Sequence, residues 1–360
     1  MQDEAAREEH ARQSRRWKQW DEFVESTTSA GFRQSSWYAD WKGFYNGWKH
    51  FRAVLRDGGA IVGGAVVFRI SLTDNTCYYF VPDGPVLVED DSPADQEQVF
   101  QAIISSIEAS RQNERKVVSH LYLSPMWTQL PSFVTGFKES IASEGSPRNT
   151  QSVDLTLSEG AILAQMKEKG RYNVGLARRH GVSVVEDLSR QGIEDFLDIY
   201  REMNERKGRR GRDPDYFHTL VSLLSPSHRG SIFFAEYQGA RLATALVVYC
   251  GRTATYYYGA SRAIHRNVMA PYLLHFEIMR RAKSRGCECY DLMGIAPLGE
   301  RDDRWADISV FKRKFGGREV RRVPDLEYIY DPVAYEDWNH IQRDRAERAA
   351  AGPRRKSAVE

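Results

Sequence analysis

Hydrophobic and polar positions alternate in two long blocks of the chain. Residues 51–80, FRAVLRDGGAIVGGAVVFRISLTDNTCYYF, read as an apolar strand, a D-G-G turn, a second strand, a polar turn and a third strand ending in aromatic residues. Residues 231–261, SIFFAEYQGARLATALVVYCGRTATYYYGAS, repeat that order with a Q-G turn and a C-G-R turn. An amphipathic helix follows in each half, QEQVFQAIISSIEAS from Gln96 and APYLLHFEIMRRAKSRG from Ala270. Each helix leads to a further strand, KVVSHLYLS and ECYDLMGI. The copies share a pattern of elements and little residue identity, and their similar internal spacing marks a duplicated βββ-α-β unit. Helical segments precede both meanders: RWKQWDEFVES in the first half, EDFLDIYREMNERKG and DYFHTLVSLL in the second. The class that results is α/β (α+β), with mixed, mostly antiparallel sheets flanked by helices.

A chain of 360 residues exceeds one ordinary core and implies two domains. The seam falls near EGSPRNTQS, Glu144 to Ser152. Residues 1–148 with 320–345 form the first expected domain, 149–319 the second, and 346–360 a basic tail. That tail is expected to be solvated, with RNA contact the alternative. Hydrophobic residues make up 41% and aromatic residues 12%, which excludes a disordered chain. The 51 cations nearly cancel 49 anions, so a polyanion would have to meet a local patch. Cys77, Cys250, Cys287 and Cys289 lack a zinc spacing and read as reduced core thiols. The N-terminus has no apolar export segment and no window is long and apolar enough to span a bilayer. A cytoplasmic location follows as the expectation, with peripheral membrane contact allowed.

Metal chemistry is not legible: none of the nine histidines pairs as H-x-x-x-H. A G-x-S-x-G elbow and a P-loop are also missing. The duplicated unit with its helical preface suggests tandem acetyltransferase-like (GNAT) domains. Such a fold binds acyl-coenzyme A through a glycine-rich turn whose N–H groups reach the pyrophosphate. The corresponding turn in the second half, SRAIHRNVMAPY, has no glycine, and in the first half it is PDGPVLVEDDSPADQ, acidic and proline-containing. Coenzyme A is ill-served by both.

Eight stretches occur in an order that resembles the Fem family: FRQSSWYADWK, PDGPV, RYNVGLARRHGVSV, RGRDPDYF, YYYGAS, APYLLHFEIM, YDLMGI and VFKRKFGG. Members of that family are aminoacyl-tRNA-dependent peptidyltransferases that build peptidoglycan side branches on tandem acetyltransferase-like domains. The resemblance covers about residues 18 to 335 and points to a compact type without the coiled-coil arm. It implies an aminoacyltransferase whose partners are aminoacyl-tRNA and a nucleotide- or lipid-linked peptidoglycan precursor, and it implies no metal or organic cofactor.

Site residues follow in the same terms. By its residues alone VFKRKFGG is either a strand end with solvated cations or a segment that turns one cation inward. The resemblance makes Phe311 and Lys312 the catalytic pair, with the lysine stabilising charge on an ester carbonyl as an amine attacks. Arg212 and Tyr216 stand four apart around Pro214, which suggests a helix start. The resemblance gives them the acceptor's phosphates or peptide stem, while the neighbouring ERKGRRGR could equally touch RNA phosphates. Lys42 is the acceptor's diphosphate contact by resemblance, or a snorkelling lysine on an amphipathic helix edge. Tyr256 and Tyr258 are expected on one strand face, with Tyr258 matching a substrate-contacting tyrosine, or simply as strand packing. Arg178 and Arg179, on a basic helix ended by Gly181, would meet the tRNA acceptor stem, with Arg313 as a further RNA contact. One departure concerns Ser124, which stands where many compact members carry an acidic residue, and it bears on the acceptor's identity. A natural-product peptide as acceptor, an acyl-coenzyme A transferase and a non-enzymatic scaffold are the competing readings.

Overall fold

The computed structural model describes residues 16–88, 91–142, 147–299 and 306–350. The first half opens with helices α1 (residues 16–26) and α2 (Ser36–Asn46), then strands β1 (Lys49–Asp57), β2 (Ala60–Ser71), β3 (Thr76–Pro82) and β4 (Val86–Leu87). Helix α3 (Pro93–Gln112), β5 (Val117–Ser124) and β6 (Lys138–Glu139) complete it. The second half runs β7 (Asn149–Asp154), α4 (Glu159–Gln165), α5 (Glu168–Arg179), β8 (Ser183–Glu186), α6 (Arg190–Arg206) and α7 (Pro214–Leu224). There follow β9 (Gly230–Tyr237), β10 (Ala240–Cys250), β11 (Thr253–Ser261), α8 (Ala270–Ser284), β12 (Cys289–Gly294), α9 (Ala306–Lys312), β13 (Arg318–Arg321), β14 (Leu326–Ile329) and α10 (Pro332–Ala350).

Each meander closes a separate sheet. One has the order β1-β2-β3-β5-β14-β6, with β4 on β2; the other has β13-β7-β12-β11-β10-β9-β8. The chain therefore returns after the second half to place β14 against β5 of the first sheet. Both expected meanders and both following helices are present, and the mixed, mainly antiparallel class holds. The expected seam is part strand: Asn149–Asp154 is the interior strand β7, while residues 143–146 lie outside the described ones. Most of the expected basic tail, residues 351–360, and residues 1–15 of the charged N-terminus also lie outside them. Among the described residues no helix is long and apolar enough to cross a membrane.

Three apolar cores hold these layers. Ile103, Phe100 and Val99 of α3 pack on β2, β3 and β5. Phe276, Ile278 and Met279 of α8 pack on the second sheet. A third core is shared by the halves, where Trp20, Trp41 and Phe68 meet Phe196, Phe217 and Phe234, all essentially without exposure. Each such side chain contributes about 2–3 kcal/mol by burial. Polar groups lock the N-terminal segment to the first sheet: Gln34 Nε2 donates to Pro82 O at 2.5 Å and Gln34 Oε1 accepts from Val66 N at 2.7 Å. Arg33 pairs with buried Asp83 at 3.4 Å. Much of the FRQSS motif is thus occupied in holding the fold. The four cysteines are free thiols.

Candidate functional site

Where a parallel strand pair stops, the second half opens. Strands β11 and β12 pair from Thr253 opposite Cys289 to Thr255 opposite Asp291 and no further. Asp291 turns its Oδ1 onto the N–H of Met293 at 2.7 Å, and Met293 adopts a φ of 61°, a rare conformation for a side chain without a polar group. Opposite, β10 and β11 slip register so that Leu246 faces Tyr258 while Val247 faces Tyr256. Tyr257 is the extra residue of a β-bulge.

The bulge overturns the expected alternation. Tyr256 belongs with the core under α8, its ring edge-on to His275 at 4.5 Å. Tyr258 belongs with the shared core on the other side, its hydroxyl 2.6 Å from that of Tyr216. Two tyrosines expected on one face therefore serve two different sites.

On the Tyr256 side lies a cavity of about 400 Å³, lined by residues of the second half from Met203 to Phe311. Its floor includes Tyr256, Tyr272, His275 and Phe311, and its mouth includes Lys207, His265 and Arg266. Phe311 packs on Tyr272 and His275 at 5.2 and 5.4 Å between ring centres. Lys312 follows it at the end of α9 and is 3% exposed. Its Nζ donates to Gly294 O at 2.7 Å, at the open end of β12, and stands 6.0 Å from the Tyr256 ring centre. Burial lowers this ammonium from the ordinary lysine value to about 8, against a smaller upward pull from Asp291. VFKRKFGG is thus no strand end: it is the close of a helix, one 3₁₀ turn and a glycine pair. Both glycines have positive φ, 76° and 75°, and a Cβ on either would strike a backbone oxygen, of Gln165 or Ser152. That contact moors the turn carrying Lys312 to α4 and β7.

The second cluster lies where the halves meet. Lys42 Nζ stands 4.2 Å from the Trp41 ring centre and between 5.2 and 5.7 Å from those of Trp48, Tyr38 and Tyr216. Desolvation, with Arg33 and Arg212 nearby, lowers it to about 7. The Arg212 guanidinium lies 5.3 Å over the Tyr216 ring. Asp213 caps α7 through its Oδ1 at 2.9 Å from Asp215 N, with Pro214 at the first helical position as expected. Lys42, Arg212, Tyr216 and Tyr258 are therefore one constellation, separated from Lys312, Phe311 and Tyr256 by the thickness of β11.

The three proposed RNA-contacting arginines are differently placed. Arg178 pairs with Glu277 at 3.1 Å, Arg179 lies 5.7 Å from the Tyr172 ring centre, and Arg313 pairs with Glu319 at 2.6 Å while donating to Ala296 O. Expected as a further RNA contact, Arg313 is instead a structural tie, and Lys314 reaches Tyr272 Oη at 3.1 Å. By contrast Lys207, Arg209, Arg210 and Arg266 are exposed and form no ion pair among the described residues. Sequence reasoning had Lys207 within ERKGRRGR as a possible RNA contact but passed over Arg266 and His275. Their signal was present in the glycine-free turn SRAIHRNVMAPYLLH, where His265 and Met269 take the left-handed conformation that glycine usually fills.

A model of the FemAB family matches residues 92–236 and 230–343. A lipid II:glycine glycyltransferase from Staphylococcus epidermidis is 21% identical over 396 aligned residues, covering 88% of this chain and 92% of that protein. A UDP-N-acetylmuramoylpentapeptide-lysine N(6)-alanyltransferase from Weissella viridescens is 28% identical over 192 residues, covering 52% of this chain and 55% of that one. The crystal structure of FemX superposes with a TM-score of 0.81 at 17% identity, over 89% of this chain and 97% of that one. A lysylphosphatidylglycerol synthetase domain from Agrobacterium fabrum gives 0.54 at 18% identity, over 89% and 95%. At these identities the solved structures speak for the tandem fold, and the family match, which takes in well over half of the sequence, shows that the chain belongs to the FemAB family.

Proposed function

We propose that this FemAB-family enzyme transfers an amino acid from aminoacyl-tRNA to the side-chain amine of a peptidoglycan precursor's stem peptide, in the cytoplasm. The observation that carries the reading is a buried lysine, Lys312, next to a cavity whose mouth bears exposed cations that form no ion pair among the described residues. A cavity of about 400 Å³ accommodates a terminal aminoacyl-adenosine, and Lys207 and Arg266 at its mouth suit the phosphates that follow. The names of the relatives from Staphylococcus epidermidis and Weissella viridescens support an amino acid as the group moved and a cell-wall precursor as its acceptor.

The reaction asks for positioning and for stabilisation of one negative charge. The acceptor's amine nitrogen attacks the ester carbonyl carbon, and the carbonyl π pair moves onto oxygen. Lys312, charged and shielded from bulk water, faces that oxyanion; low local polarity strengthens the attraction. Collapse restores the carbonyl, breaks the bond to the ribose oxygen and leaves an amide. The proton lost by nitrogen goes to the departing ribose oxygen. Lys42, Arg212 and Tyr216 hold the acceptor's diphosphate from the other side of β11, and Tyr258 orients Tyr216 through their shared hydrogen bond. The decisive test incubates purified protein with radiolabelled aminoacyl-tRNA and muramyl-pentapeptide precursors, nucleotide-linked and lipid-linked. RNase-sensitive transfer of label to the peptide is expected; transfer from acetyl-coenzyme A with release of free thiol would overturn the reading.

A further inference from the structure

His275 has no role in the steps above, yet among the described residues it is the one histidine whose ring is both buried and part of the cavity wall. Only 2% of it is exposed, and Tyr256, Phe311 and Phe315 surround it at 4.5, 5.4 and 4.9 Å between ring centres. One nitrogen is committed: Nδ1 lies 2.8 Å from Tyr290 Oη. Tyr290 is wholly buried and its O–H needs an acceptor. Among the described residues His275 Nδ1 is the partner at hand, so the tyrosine donates and Nδ1 accepts. In a neutral imidazole the remaining nitrogen then carries the proton. Burial and the neighbouring Lys312 charge hold the ring neutral, well below the ordinary histidine range at about 3. Nε2 has no protein partner among the described residues, although the ring borders open space.

We propose that His275 is a hydrogen-bond donor to the aminoacyl ester, its Nε2–H meeting the carbonyl oxygen that Lys312 faces from the other side. This rests on the transferase reading and adds a second donor to it. A neutral donor suits a site that already holds an ammonium, because a second cation there would be repelled. It also sharpens geometry: a lysine is a mobile point charge, whereas the imidazole is fixed by three rings and Tyr290. Tyr290 is a positioning residue, since it sets the tautomer and touches no substrate.

Nitrogen-15 NMR of the histidine rings in the full-length protein tests the tautomer without any substrate. A pyridine-type Nδ1 and a pyrrole-type Nε2 are expected for His275, unchanged between pH 6 and 8; an imidazolium or a protonated Nδ1 overturns the proposal. Adding 3′-aminoacylamino-3′-deoxyadenosine, which cannot transfer its amino acid, should shift the Nε2–H signal; no shift at saturation overturns it. In the transfer assay His275→Phe should lower kcat about 10- to 100-fold with the acceptor's KM unchanged. Tyr290→Phe should cause a smaller loss and a mixture of tautomers in the spectrum. Full activity in His275→Phe refutes the donor while leaving the transferase reading intact. Wild-type protein that transfers nothing refutes that reading instead, and the ring measurements still decide the tautomer and the contact.

Discussion

The two βββ-α-β units are built on one plan and end in opposite states. In the first, β3 and β5 stay paired from Thr76 opposite Val117 to Pro82 opposite Ser124, the full length of the strands. The space beyond is filled: β4 folds back to pair with Gly63 and Gly64 of β2, and Phe100 of α3 seals the layer. In the second, pairing ends after three residues, a bulge divides the tyrosines, and Phe311 and Lys312 enter from α9. Their histidines show the same contrast. His120 and His275 are both held neutral, at about 3, by burial. His120 is walled in by Tyr78, Tyr335 and Trp338 with its Nε2 unsatisfied among the described residues. His275 borders a chamber. On the transferase reading, the unit whose parallel strand pair is left open holds the reaction site, and the zipped one serves as a platform.

If chemistry belongs to the open unit and support to the zipped one, substitutions should divide accordingly. Lys312→Met removes the charge and keeps the aliphatic stem, so kcat should fall about 10²- to 10³-fold. Its melting temperature should hold or rise, because a buried cation is removed with no lost packing. Radiolabel transfer and a thermal melt on the same preparation check both halves of that statement. The complementary change is Asp83→Asn in the first unit. It removes the negative charge opposite the Arg33 guanidinium, in a site where only about a tenth of that side chain is exposed. A loss of about 3–5 kcal/mol in urea unfolding is expected, with kcat per folded molecule unchanged. A kcat defect there without lost stability would break the division of labour.

Much of the fold was legible because its signals are local. Asp-Gly-Gly and Gln-Gly turns fix both hairpins, and Ser92 and Asp213 cap the helices that follow them. Less of the site was legible, for three physical reasons. A β-bulge depends on the register of a partner strand, so YYYGAS alone could not show that Tyr256 and Tyr258 part company. Charge compensation is a long-range matter: Arg178 looks free until Glu277, ninety-nine residues away, is brought beside it. VFKRKFGG looked strand-like through its alternation of rings and cations, yet a helix end and a 3₁₀ turn bury Phe315 and Lys312 together. The inward cation was one of two open alternatives, and it is the one the backbone selects.

Acidity separates the two clusters in a different way. Lys42 is depressed to about 7 and Lys312 to about 8, while an unfolded lysine titrates near 10.4. Between about pH 7 and 10 the unfolded chain therefore binds more protons than the folded one, and stability contributed by these groups rises with pH. Activity should run the other way. As pH passes about 8 the oxyanion loses its cation and kcat declines, up to tenfold per unit. Above about 7 the acceptor loses one phosphate contact, so its KM rises first. Lys42→Met should erase the break in KM and leave the break in kcat, as measured by full kinetics from pH 6 to 9. A single break shared by both parameters would mean the clusters act as one.

The smallest expected effect concerns the mouth of the open unit, and it discriminates between two sets of cations. Lys207 and Arg266 border the cavity and carry no ion pair among the described residues, whereas Arg178 and Arg313 are neutralised by Glu277 and Glu319. An arginine already paired gains little from a phosphate, because one anion only replaces another. An unpaired cation releases condensed counterions from RNA when it binds, and each such contact adds about 0.7–0.9 to the slope of log affinity against log salt. Lys207→Ala with Arg266→Ala should therefore raise the KM for aminoacyl-tRNA about 3- to 10-fold near physiological salt and lower the salt slope by nearly two contacts. Arg178→Ala should leave the slope almost unchanged and slightly loosen α5 from α8, since its partner Glu277 sits on that helix. Filter binding of labelled tRNA between 50 and 200 mM salt measures both variants. The reverse ranking would move the RNA path from the cavity mouth to the outer face of α5, and would detach the cationic rim from the chamber it surrounds.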